Sequence, residues 1–469
     1  MPLILGTNSI KDTGYNVANS CRFNDDDTAS MNKTPGSNGN QKIWTFSAWV
    51  KRGNITGAYQ NIFSAFLNGG SRYTTLAFTD SETLEIFSGV YSTSATSTSY
   101  NKVTSRVFRD CSAWYHFCLI VDTTDGTAED RVKFYVNGTR ETSFGTNTNP
   151  SADADTFMNV TTTTKHLGTA SGSNNLFDGY MSEVVLLDGT AGSISDFGEF
   201  DEDSPTIWKP KDVSGLTFGT NGYYLDFEDS ANLGNDANGG TDFTEANLAA
   251  TDQSTDTPTN NFATMNPLDR GDINSAMTFS EGNLKTAAGS GSTSWTTRYA
   301  FSSIGVTAGK WWVEAKCVDS GGSNQFYIGV LKDKETETWN SSLGGVSGGW
   351  GYYSNDGNIY HSGSHTGGST VTYTDGDFIG MALDVTNGTL QFYKNGSASG
   401  NQVTSLSTTS TWWFAHNGYA AIDAEWNFGN PPYSISSGNA DDNGYGNFEH
   451  APPSGFLSIC TKNLGSDGG

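Results

Sequence analysis

One short hairpin pattern occurs twice in this chain, as RVKFYVNG at residues 131–138 and as TLQFYKNG at residues 389–396. In each copy apolar and polar side chains alternate, which is the pattern of a β-strand with one buried face. Asn-Gly ends both strands, and this dipeptide favours the two positive φ angles of a type I′ turn. The sequence therefore predicts two antiparallel hairpins in separate parts of the chain.

Short alternating segments bounded by turn residues recur along most of the chain, and none has sustained helical periodicity. One sheet of this length could not bury its apolar face, so the strands must form sheets that pack in pairs. We therefore predict an all-β fold of two antiparallel β-sandwich, jelly-roll-like domains. Residues 1–230 form the first domain, with its last strand in TNGYYLDFED at 220–229, and residues 276–469 form the second.

A polar segment separates the two predicted domains. Residues 231–275 are rich in Asn, Asp, Thr and Gly, and they contain few side chains able to fill a core. Such a composition is typical of a connector between domains. We expect a polar linker over this segment.

Acidic residues outnumber basic ones. The chain has 25 Lys and Arg against 50 Asp and Glu, a formal net charge of −25. Binding to a phosphate backbone needs basic clusters, so this composition argues against nucleic acid as a partner. No segment approaches the length of a membrane span, and the N-terminus MPLILGTNSIKD lacks the basic flank and cleavage site of a signal peptide. We expect neither membrane insertion nor a signal peptide.

The five cysteines show neither a CxxC pair nor metal-ligand spacing: Cys21, Cys111, Cys118, Cys317 and Cys460. An odd number in a chain this long disfavours a disulfide framework. We expect free, largely buried thiols and synthesis in a reducing compartment.

An ordered set of segments in the first predicted domain resembles the concanavalin A-like sandwich in its laminin-G or pentraxin-like form. The segments lie within residues 15–200 and read WTFSAWVKRG, WYHFCLIVD, KFYVNG, LGTA and FDGYMSEVVLLDG. The resemblance implies a calcium ion at the rim of the sandwich, held by Asp side chains and backbone oxygens. The loop VDTTDGTAEDR at 121–131 supplies the candidate ligands Asp122, Asp125, Glu129 and Asp130. An ordinary acidic hairpin loop is the alternative, and no other cofactor is expected.

A second resemblance covers residues 285–464, where GKWWVEAK, GDFIGMALDVTNGTLQFYKNG and AEWNFGNPPY are similar to the SPRY family. The resemblance implies a ligand surface built from variable loops at one end of a sandwich. The loop-rich stretch at 338–368 presents aromatic and imidazole side chains suited to sugars or protein edges. The candidate ligand-binding residues are Trp339, Trp350, Tyr352, Tyr353, Tyr360, His361 and His365. For Trp350 and Tyr352, a position facing the core is the alternative.

A third resemblance concerns the C-terminal segment FEHAPPSGFLSICTKNL and the connector DTPTNNFATMNPL. Together with the two domain types, they are similar to structural proteins of tailed bacteriophages, especially marine ones. The resemblance implies a noncatalytic virion component, such as a tail fibre, a head fibre or a capsid decoration. Such a protein is made in the host cytoplasm and contacts other virion proteins and a host surface glycan or protein. We expect a homo-oligomer, for example a trimer.

Two other functions stay open at this point. Some concanavalin A-like sandwiches are glucanases that use a Glu-x-Asp-x-x-Glu motif, because cleavage of a glycosidic bond needs paired carboxylates. The nearest match is EFDEDS, where Glu199 and Asp201 fit but Ser204 replaces the second Glu. We therefore expect no catalytic residues, with a glycan-cleaving enzyme as the first alternative. A purely architectural cement protein of the virion is the second.

Overall fold

The computed structural model describes residues 14–67, 72–91, 96–269, 277–288, 295, 299–319, 325–334, 341–365, 371–419 and 422–467. The chain divides into two compact units. The first unit is Asp12–Thr259, and the second contains Asn260–Gly469. Strands dominate both units, which confirms the all-β prediction. Among the residues described, no helix is long and apolar enough to cross a lipid bilayer.

The described part of the first unit contains two large antiparallel sheets, which we call the back sheet and the front sheet. The back sheet consists of β1 (Ser20–Phe23), β3 (Ile43–Arg52), β8 (Trp114–Asp122), β9 (Val132–Val136), β10 (Thr139–Arg140), β13 (Gly179–Asp188), β16 (Tyr223–Leu225) and β18 (Gln253–Ser254). Its order is β10-β9-β8-β3-β13-β1-β18, with β16 beside β13.

The front sheet consists of β2 (Ser30–Lys33), β4 (Gln60–Leu67), β5 (Arg72–Phe78), β6 (Thr83–Tyr91), β7 (Thr96–Val107), β11 (Phe144–Thr148), β12 (Thr163–Leu167) and β17 (Thr244–Ala246). Its order is β11-β7-β6-β5-β4-β12-β2-β17. A small hairpin of β14 (Gly198–Phe200) and β15 (Trp208–Pro210) lies outside both sheets. Single 3-10 turns occur at Ala128–Asp130, Ile194–Asp196 and Ala250–Asp252.

Alternate side chains of the two sheets meet in one buried core. The back sheet contributes Phe46, Phe117, Phe134 and Val184, and the front sheet contributes Phe63, Leu76, Ile86 and Tyr100. Phe46 and Phe63 stack across the core with their ring centroids 4.5 Å apart. Burial of each such side chain stabilises the fold by about 1.5–3 kcal/mol. The first unit is therefore a sandwich, as the alternation predicts.

Both predicted Asn-Gly turns are confirmed. Asn137 and Gly138 have φ angles of 46° and 74°, and they connect β9 to β10. In the second unit, Asn395 and Gly396 have φ angles of 48° and 78°. Two positive φ angles in succession are the mark of a type I′ turn, which few residue pairs other than Asn-Gly adopt without strain.

The segment 231–275, expected to be a polar linker, is folded wherever the structure describes it. Its part up to Thr259 belongs to the first unit, and its part from Asn260 to the second. The strand β17 pairs with β2, and β18 pairs with β1, so this segment completes both sheets of the first unit. Residues 270–276 lie outside the described residues. The first domain therefore ends near residue 259 and not at residue 230.

Composition misleads here because several polar side chains of this segment, Asp236 and Asp256 among them, are buried partners of the fold. Lys51 Nζ and Asp256 Oδ2 form an ion pair at 2.6 Å with both side chains fully buried. The indole of Trp114 donates to the other carboxylate oxygen of Asp256 at 2.9 Å. The few apolar residues of the segment are also in the core, among them Leu233 and Phe243. A buried polar side chain that is paired in this way avoids the free-energy cost of an unsatisfied hydrogen-bonding group.

The second unit has two antiparallel sheets among its described residues. One consists of β19 (Met277–Ser280), β20 (Lys285–Ala288), β22 (Lys310–Asp319), β27 (Phe378–Asp384), β28 (Thr389–Lys394), β29 (Ser397–Val403) and β31 (Ile422–Asn427). The other consists of β21 (Tyr299–Phe301), β23 (Phe326–Lys332), β24 (Gly349–Tyr353), β25 (Ile359–His361), β26 (Ser364–His365) and β30 (Trp412–Gly418). Their orders are β19-β20-β31-β22-β27-β28-β29 and β21-β30-β23-β24-β25-β26. The strands β27, β28 and β29 are consecutive in the chain and pair in that order, as an antiparallel meander.

The core of the second unit is rich in aromatic side chains from both sheets, including Trp311, Phe392, Trp412, Phe414 and Trp426. Gly380 in β27 allows the backbone to pass the ring of Trp312, because a Cβ at that position would lie 2.1 Å from a ring carbon. The C-terminal segment folds back onto this unit before the helix α1 (Thr461–Asp467). There the carboxylate of Asp441 accepts hydrogen bonds from the backbone and the hydroxyl of Ser458 at 2.8 and 2.7 Å.

All five cysteines are free and buried, as expected. Burial raises the pKa of the Cys111 thiol to about 12 and that of Cys460 to about 11. Neutral thiols are poor nucleophiles, so these two side chains serve as small apolar residues.

An unusual carboxyl group lies in a β-bulge of β13. Glu183 has a φ angle of 50° and interrupts the pairing with β3 between Ser182 and Val185. The hydroxyl of Tyr224 donates to its Oε2 at 2.9 Å, and that of Tyr15 donates at 3.2 Å. Burial raises the pKa of Glu183 to about 8, although the two hydroxyl donors partly oppose this shift.

A first prediction tests whether segment 231–259 is part of the fold. Phe243→Ala removes a buried ring that packs edge-on against Tyr223 at 4.8 Å. It should lower the free energy of unfolding by about 3–5 kcal/mol. The control Thr241→Ala changes an exposed neighbour and should alter stability by less than about 0.5 kcal/mol. Chemical denaturation measures both, and equal stability of the two variants would restore the linker interpretation.

A second prediction concerns pH. Because the folded pKa of Glu183 lies above its ordinary value of 4.5, the folded state holds a proton that the unfolded state releases. The stabilisation is complete below about pH 4.5 and is lost as pH rises through about 8. Glu183→Gln cannot ionise, so its stability relative to the original chain should rise by up to about 1.4 kcal/mol per pH unit in this window. Denaturation at pH 5, 7 and 9 measures the difference, and parallel pH profiles would contradict it.

Candidate functional site

A groove of about 810 Å³ lies on the outward face of the front sheet. Its floor comes from β4, β5, β6 and β7, which are neighbours in that sheet. Since side chains alternate along a strand, the residues between the core positions of these strands all point outward. The floor and walls are lined by Tyr59, Asn61, Ser64, Phe66, Tyr73, Thr75, Ala77, Glu85, Phe87, Asn101, Ala170, Ser171, Asn174 and Asn175.

Strand register arranges the floor in rows that run across the strands. The longest row is Ser64, Thr75, Phe87 and Asn101, each directly opposite the next on the neighbouring strand. A second row pairs Phe66 with Tyr73, and a third places Asn61, Ala77 and Glu85 side by side. The groove therefore mixes aromatic, amide and hydroxyl groups across four strands.

Three aromatic rings form a continuous apolar strip in the groove. The ring centroids of Phe66 and Tyr73 are 5.9 Å apart, and those of Tyr73 and Phe87 are 4.9 Å apart. Phe66 and Tyr73 are half-buried, so part of each ring is open to a ligand. Tyr59, which is 37% exposed, adds a fourth ring at the wall.

The opposite wall is the segment 170–175 between β12 and β13. It is tied to the floor because the backbone N–H of Asn61 donates to the carbonyl of Asn175 at 2.8 Å. The hydroxyl of Ser64 also donates to the carbonyl of Ala170 at 2.6 Å. This wall carries the exposed amide of Asn174 at the rim.

Polar groups lie on the floor of the groove beside the aromatic rings. The amide of Asn61 donates to the Thr75 hydroxyl, which fixes its orientation. The Oδ1 atom of Asn101 is buried without a hydrogen-bond partner in the described structure. Burial raises the pKa of Glu85, although its hydrogen bond with Asn101 opposes the shift. Aromatic faces beside amide and carboxyl groups are the combination that suits the apolar and hydroxyl-bearing faces of sugars.

Glu85 is the single carboxyl group among the described residues that line the groove. Glycosidic bond cleavage by the usual mechanism needs two carboxyl groups about 5–9.5 Å apart. The pair considered from the sequence lies elsewhere. Glu199 is exposed on β14, and Asp201 accepts the Ser204 N–H at 2.9 Å, in a turn outside the groove. The groove as described is suited to binding.

The structure does not bring the calcium candidates of loop 121–131 together. Each acidic side chain has a separate partner: Asp122 accepts from Thr124, Asp125 from Thr127, Glu129 from Asn149, and Asp130 pairs with Arg140. Within the described ranges, no three Asp, Glu, His or Cys side chains are grouped as a metal site. Calcium binding by this loop stays a prediction without support from the geometry.

The candidate residues of the second unit do not form one surface. Trp339 lies outside the described residues. Tyr352 is fully buried in the main core, with its hydroxyl 2.8 Å from that of Ser399, so it has the core-facing position that was the alternative for this residue. Trp350 lies on the same side, half-buried and stacked on His361 with centroids 4.0 Å apart.

The candidates Tyr353, Tyr360 and His365 lie on the opposite face of the same sheet. Tyr353 and Tyr360 are half-buried in a separate aromatic cluster, where Tyr353 stacks on Tyr327 at 4.6 Å. His365 is exposed, 6.1 Å from Tyr360 between ring centroids. The sequence pattern did not separate the two faces, because the residues come from a turn-rich stretch without clear alternation.

The groove was missed because its residues are spread over strands that each appear unremarkable in sequence. One signal in the sequence could have revealed the groove, namely the outward-facing residues of β4, β5 and β6. Alternation identifies the core positions of these strands, and the positions between them include the aromatic residues Phe66, Tyr73 and Phe87. A solvated sheet face would have polar residues at these positions.

Comparisons with known proteins agree with the two folds. Residues 25–192 match the family model described as the concanavalin A-like lectin/glucanases superfamily, and residues 310–411 match the SPRY domain model. The chain therefore has an N-terminal concanavalin A-like domain and a C-terminal SPRY domain. No curated protein sequence matches the chain.

Several solved structures are similar to parts of the chain. The SPRY domain of human HERC1 is 22% identical over 30% of this chain and 87% of its own, with a TM-score of 0.25. The TRIM65 PSpry domain is 16% identical over 35% of this chain and 91% of its own, with a TM-score of 0.28. A SAP-like pentraxin from Limulus polyphemus is 15% identical over 38% of this chain and 80% of its own, with a TM-score of 0.28.

A third prediction concerns the groove. Tyr73→Ala removes the middle ring of the aromatic strip, and loss of one stacking ring should weaken polysaccharide binding by roughly 5–10-fold. Phe200→Ala is the matched control, because Phe200 is a 42% exposed ring outside the groove. Affinity electrophoresis in gels that contain soluble polysaccharide measures both variants. Equal retardation of the two would show that the groove is not the binding site.

Proposed function

We propose that this chain, a concanavalin A-like domain followed by a SPRY domain, is a noncatalytic attachment protein that binds polysaccharide in the groove of its first unit. The observation that carries the proposal is the row of aromatic rings beside amide groups on the outward face of the front sheet. A solvated sheet face has no need of such rings, and two of them, Phe66 and Tyr73, are only half-buried and so accessible to a ligand.

The charge of the protein restricts its ligands. A net charge of −25 repels anionic polymers at low ionic strength. The groove also contains Glu85 and no Lys or Arg among its described lining residues. Neutral polysaccharides are therefore the proposed ligand class.

The shallow groove favours display in several copies. One open site of this kind binds with a dissociation constant on the order of 1 mM, equivalent to about 4 kcal/mol. Linked copies on one particle can raise the apparent affinity by about 10²–10⁴-fold. A homo-oligomer such as a trimer would supply these copies, and it is part of the proposal.

A bacteriophage virion is the proposed location. The support is the resemblance of the C-terminal segment and of the domain order to structural proteins of tailed phages. In the structure, that segment is integrated in the second unit, where Leu457 lies beside Trp311 and Cys460 pairs with Phe262. The protein would then be a tail fibre, a head fibre or a capsid decoration, in contact with other virion proteins and with the host surface.

A fourth prediction tests this function. The full chain should be retarded in native gels that contain neutral polysaccharides and not in gels that contain acidic ones such as alginate. It should release no reducing ends during prolonged incubation, because the groove holds one carboxyl group among its described residues. Light scattering of the same sample should give a multiple of the 50.1 kDa chain mass.

Two results would overturn the proposal in different ways. Release of reducing ends would show a glycan-cleaving enzyme. Absence of retardation by any polysaccharide, together with loss of particle integrity when the protein is removed from virions, would show an architectural role.

A further inference from the structure

Nine asparagines in this chain are followed directly by glycine. Glycine has no side chain to obstruct its own backbone nitrogen, so this nitrogen can attack the side-chain amide carbon of the asparagine before it. The attack requires an asparagine side chain that is free to rotate and a backbone turn that can open. Asn68 lies outside the described residues, and the structure describes the other eight pairs, which begin at Asn38, Asn137, Asn221, Asn238, Asn387, Asn395, Asn417 and Asn443.

Hydrogen bonds hold the side chains of seven of these eight asparagines. Asn395 is exposed, but its Oδ1 accepts the N–H of Phe378 and its Nδ2 donates to Asp377, both at 2.8 Å. Side-chain hydrogen bonds also join Asn38 to Thr161, Asn137 to His116, Asn221 to Ser37, Asn387 to Asp384, Asn417 to Leu343 and Asn443 to Asn463. An asparagine held in this way must break its hydrogen bond before it can turn toward the next nitrogen.

Asn238 is the exception among the described Asn-Gly pairs. It is exposed, and within the described part of the chain its side chain makes no hydrogen bond. Its backbone N–H donates to Asp236 Oδ1 at 3.2 Å, and the N–H of Gly239 closes a turn by donating to the carbonyl of Asp236 at 2.7 Å. Residues 237–242 are all exposed, and such surface turns open locally at little cost in free energy.

We propose that Asn238 deamidates spontaneously, and faster than any other described Asn-Gly pair. The deprotonated nitrogen of Gly239 forms a bond to Asn238 Cγ, and the Cγ–Nδ2 bond breaks. The amide nitrogen takes up a proton and leaves as ammonia, so a cyclic succinimide remains. Water then adds to one of the two ring carbonyls and breaks the bond of that carbonyl to nitrogen. The product is aspartate or isoaspartate, and the whole reaction consumes one water and releases one ammonia.

The turn that contains Asn238 encloses a buried charge. Asp236 is 2% exposed, forms an ion pair with Lys33 at 3.1 Å and accepts the N–H of Tyr224 at 3.0 Å. The backbone of Gly240 passes so close to this carboxylate that a Cβ there would lie 2.4 Å from Asp236 Oδ2. Lys33 belongs to β2 of the front sheet and Tyr224 to β16 of the back sheet, so Asp236 connects the two sheets.

Deamidation at this position disturbs the connection between the sheets. Isoaspartate carries the main chain through its side-chain carbon, which lengthens the backbone by one atom. The N–H of Gly239 and the backbone of Gly240 then cannot both keep their positions around Asp236. Either product also places a new negative charge beside the Asp236 carboxylate. The first unit therefore becomes less stable as the protein ages, and this inference does not depend on the proposed function of the groove.

Peptide mapping by mass spectrometry of the full chain, after incubation in mildly alkaline buffer, tests the proposal. The peptide that contains Asn238 should gain the mass of deamidation more than about tenfold faster than the peptide that contains Asn395, because two hydrogen bonds of Asn395 must break first. Asn395 is the matched control, since it is also exposed and also precedes glycine. In concentrated urea the two rates should become similar, because neither side chain is then held.

The melting temperature of the incubated protein tests the consequence for stability. It should fall by about 2–4 °C in the original chain. Asn238→Ser has no side-chain amide at this position, so the same incubation should leave its melting temperature unchanged. Equal conversion of Asn238 and Asn395 in the folded chain, or faster conversion at another described Asn-Gly pair, would overturn the proposed site. An equal loss of melting temperature in Asn238→Ser would overturn the proposed effect on stability.

Discussion

The alternation of side chains along each strand is the constraint on which the rest of this structure depends. In the first unit it gives each sheet one face that packs in the common core and one that does not. The same strands that bury Phe63, Leu76 and Ile86 therefore present Phe66, Tyr73 and Phe87 on the outside. Cross-strand register holds these rings in rows. The same alternation and register therefore produce both the core and the groove. A slip of one residue in any strand would exchange the two faces.

Much of the fold could be predicted from the sequence, and the failures have a physical pattern. Sandwich sheets and Asn-Gly turns depend on local alternation and turn chemistry, which the sequence displays directly. Segment 231–259 depends on partners far away in the chain. The buried pair of Lys51 and Asp256 links residues 205 positions apart, and no composition measure distinguishes such an aspartate from one in a linker. Polar segments are therefore the places where sequence reasoning about domain limits is least reliable.

The same reasoning explains what could be anticipated at the functional sites. Aromatic residues in the second unit were noticeable because they cluster in sequence. Tyr352, however, is buried, and the other candidates within the described residues divide between the two faces of one sheet. The groove is assembled from separate strands, so it becomes visible only when register is known. In an all-β protein, strand register decides which side chains from different strands lie side by side. Strand register could not be predicted here from the single sequence.

The central claim is that the outward face of the front sheet is the surface on which the protein meets its ligand. Hydrogen–deuterium exchange of the full chain, with and without a saturating polysaccharide found by gel retardation, tests it most directly. Bound polysaccharide should slow exchange in peptides that cover Tyr59 and the wall 170–175, and exchange in residues 341–365 of the second unit should stay unchanged. Protection confined to residues 341–365, with none around the groove, would contradict it.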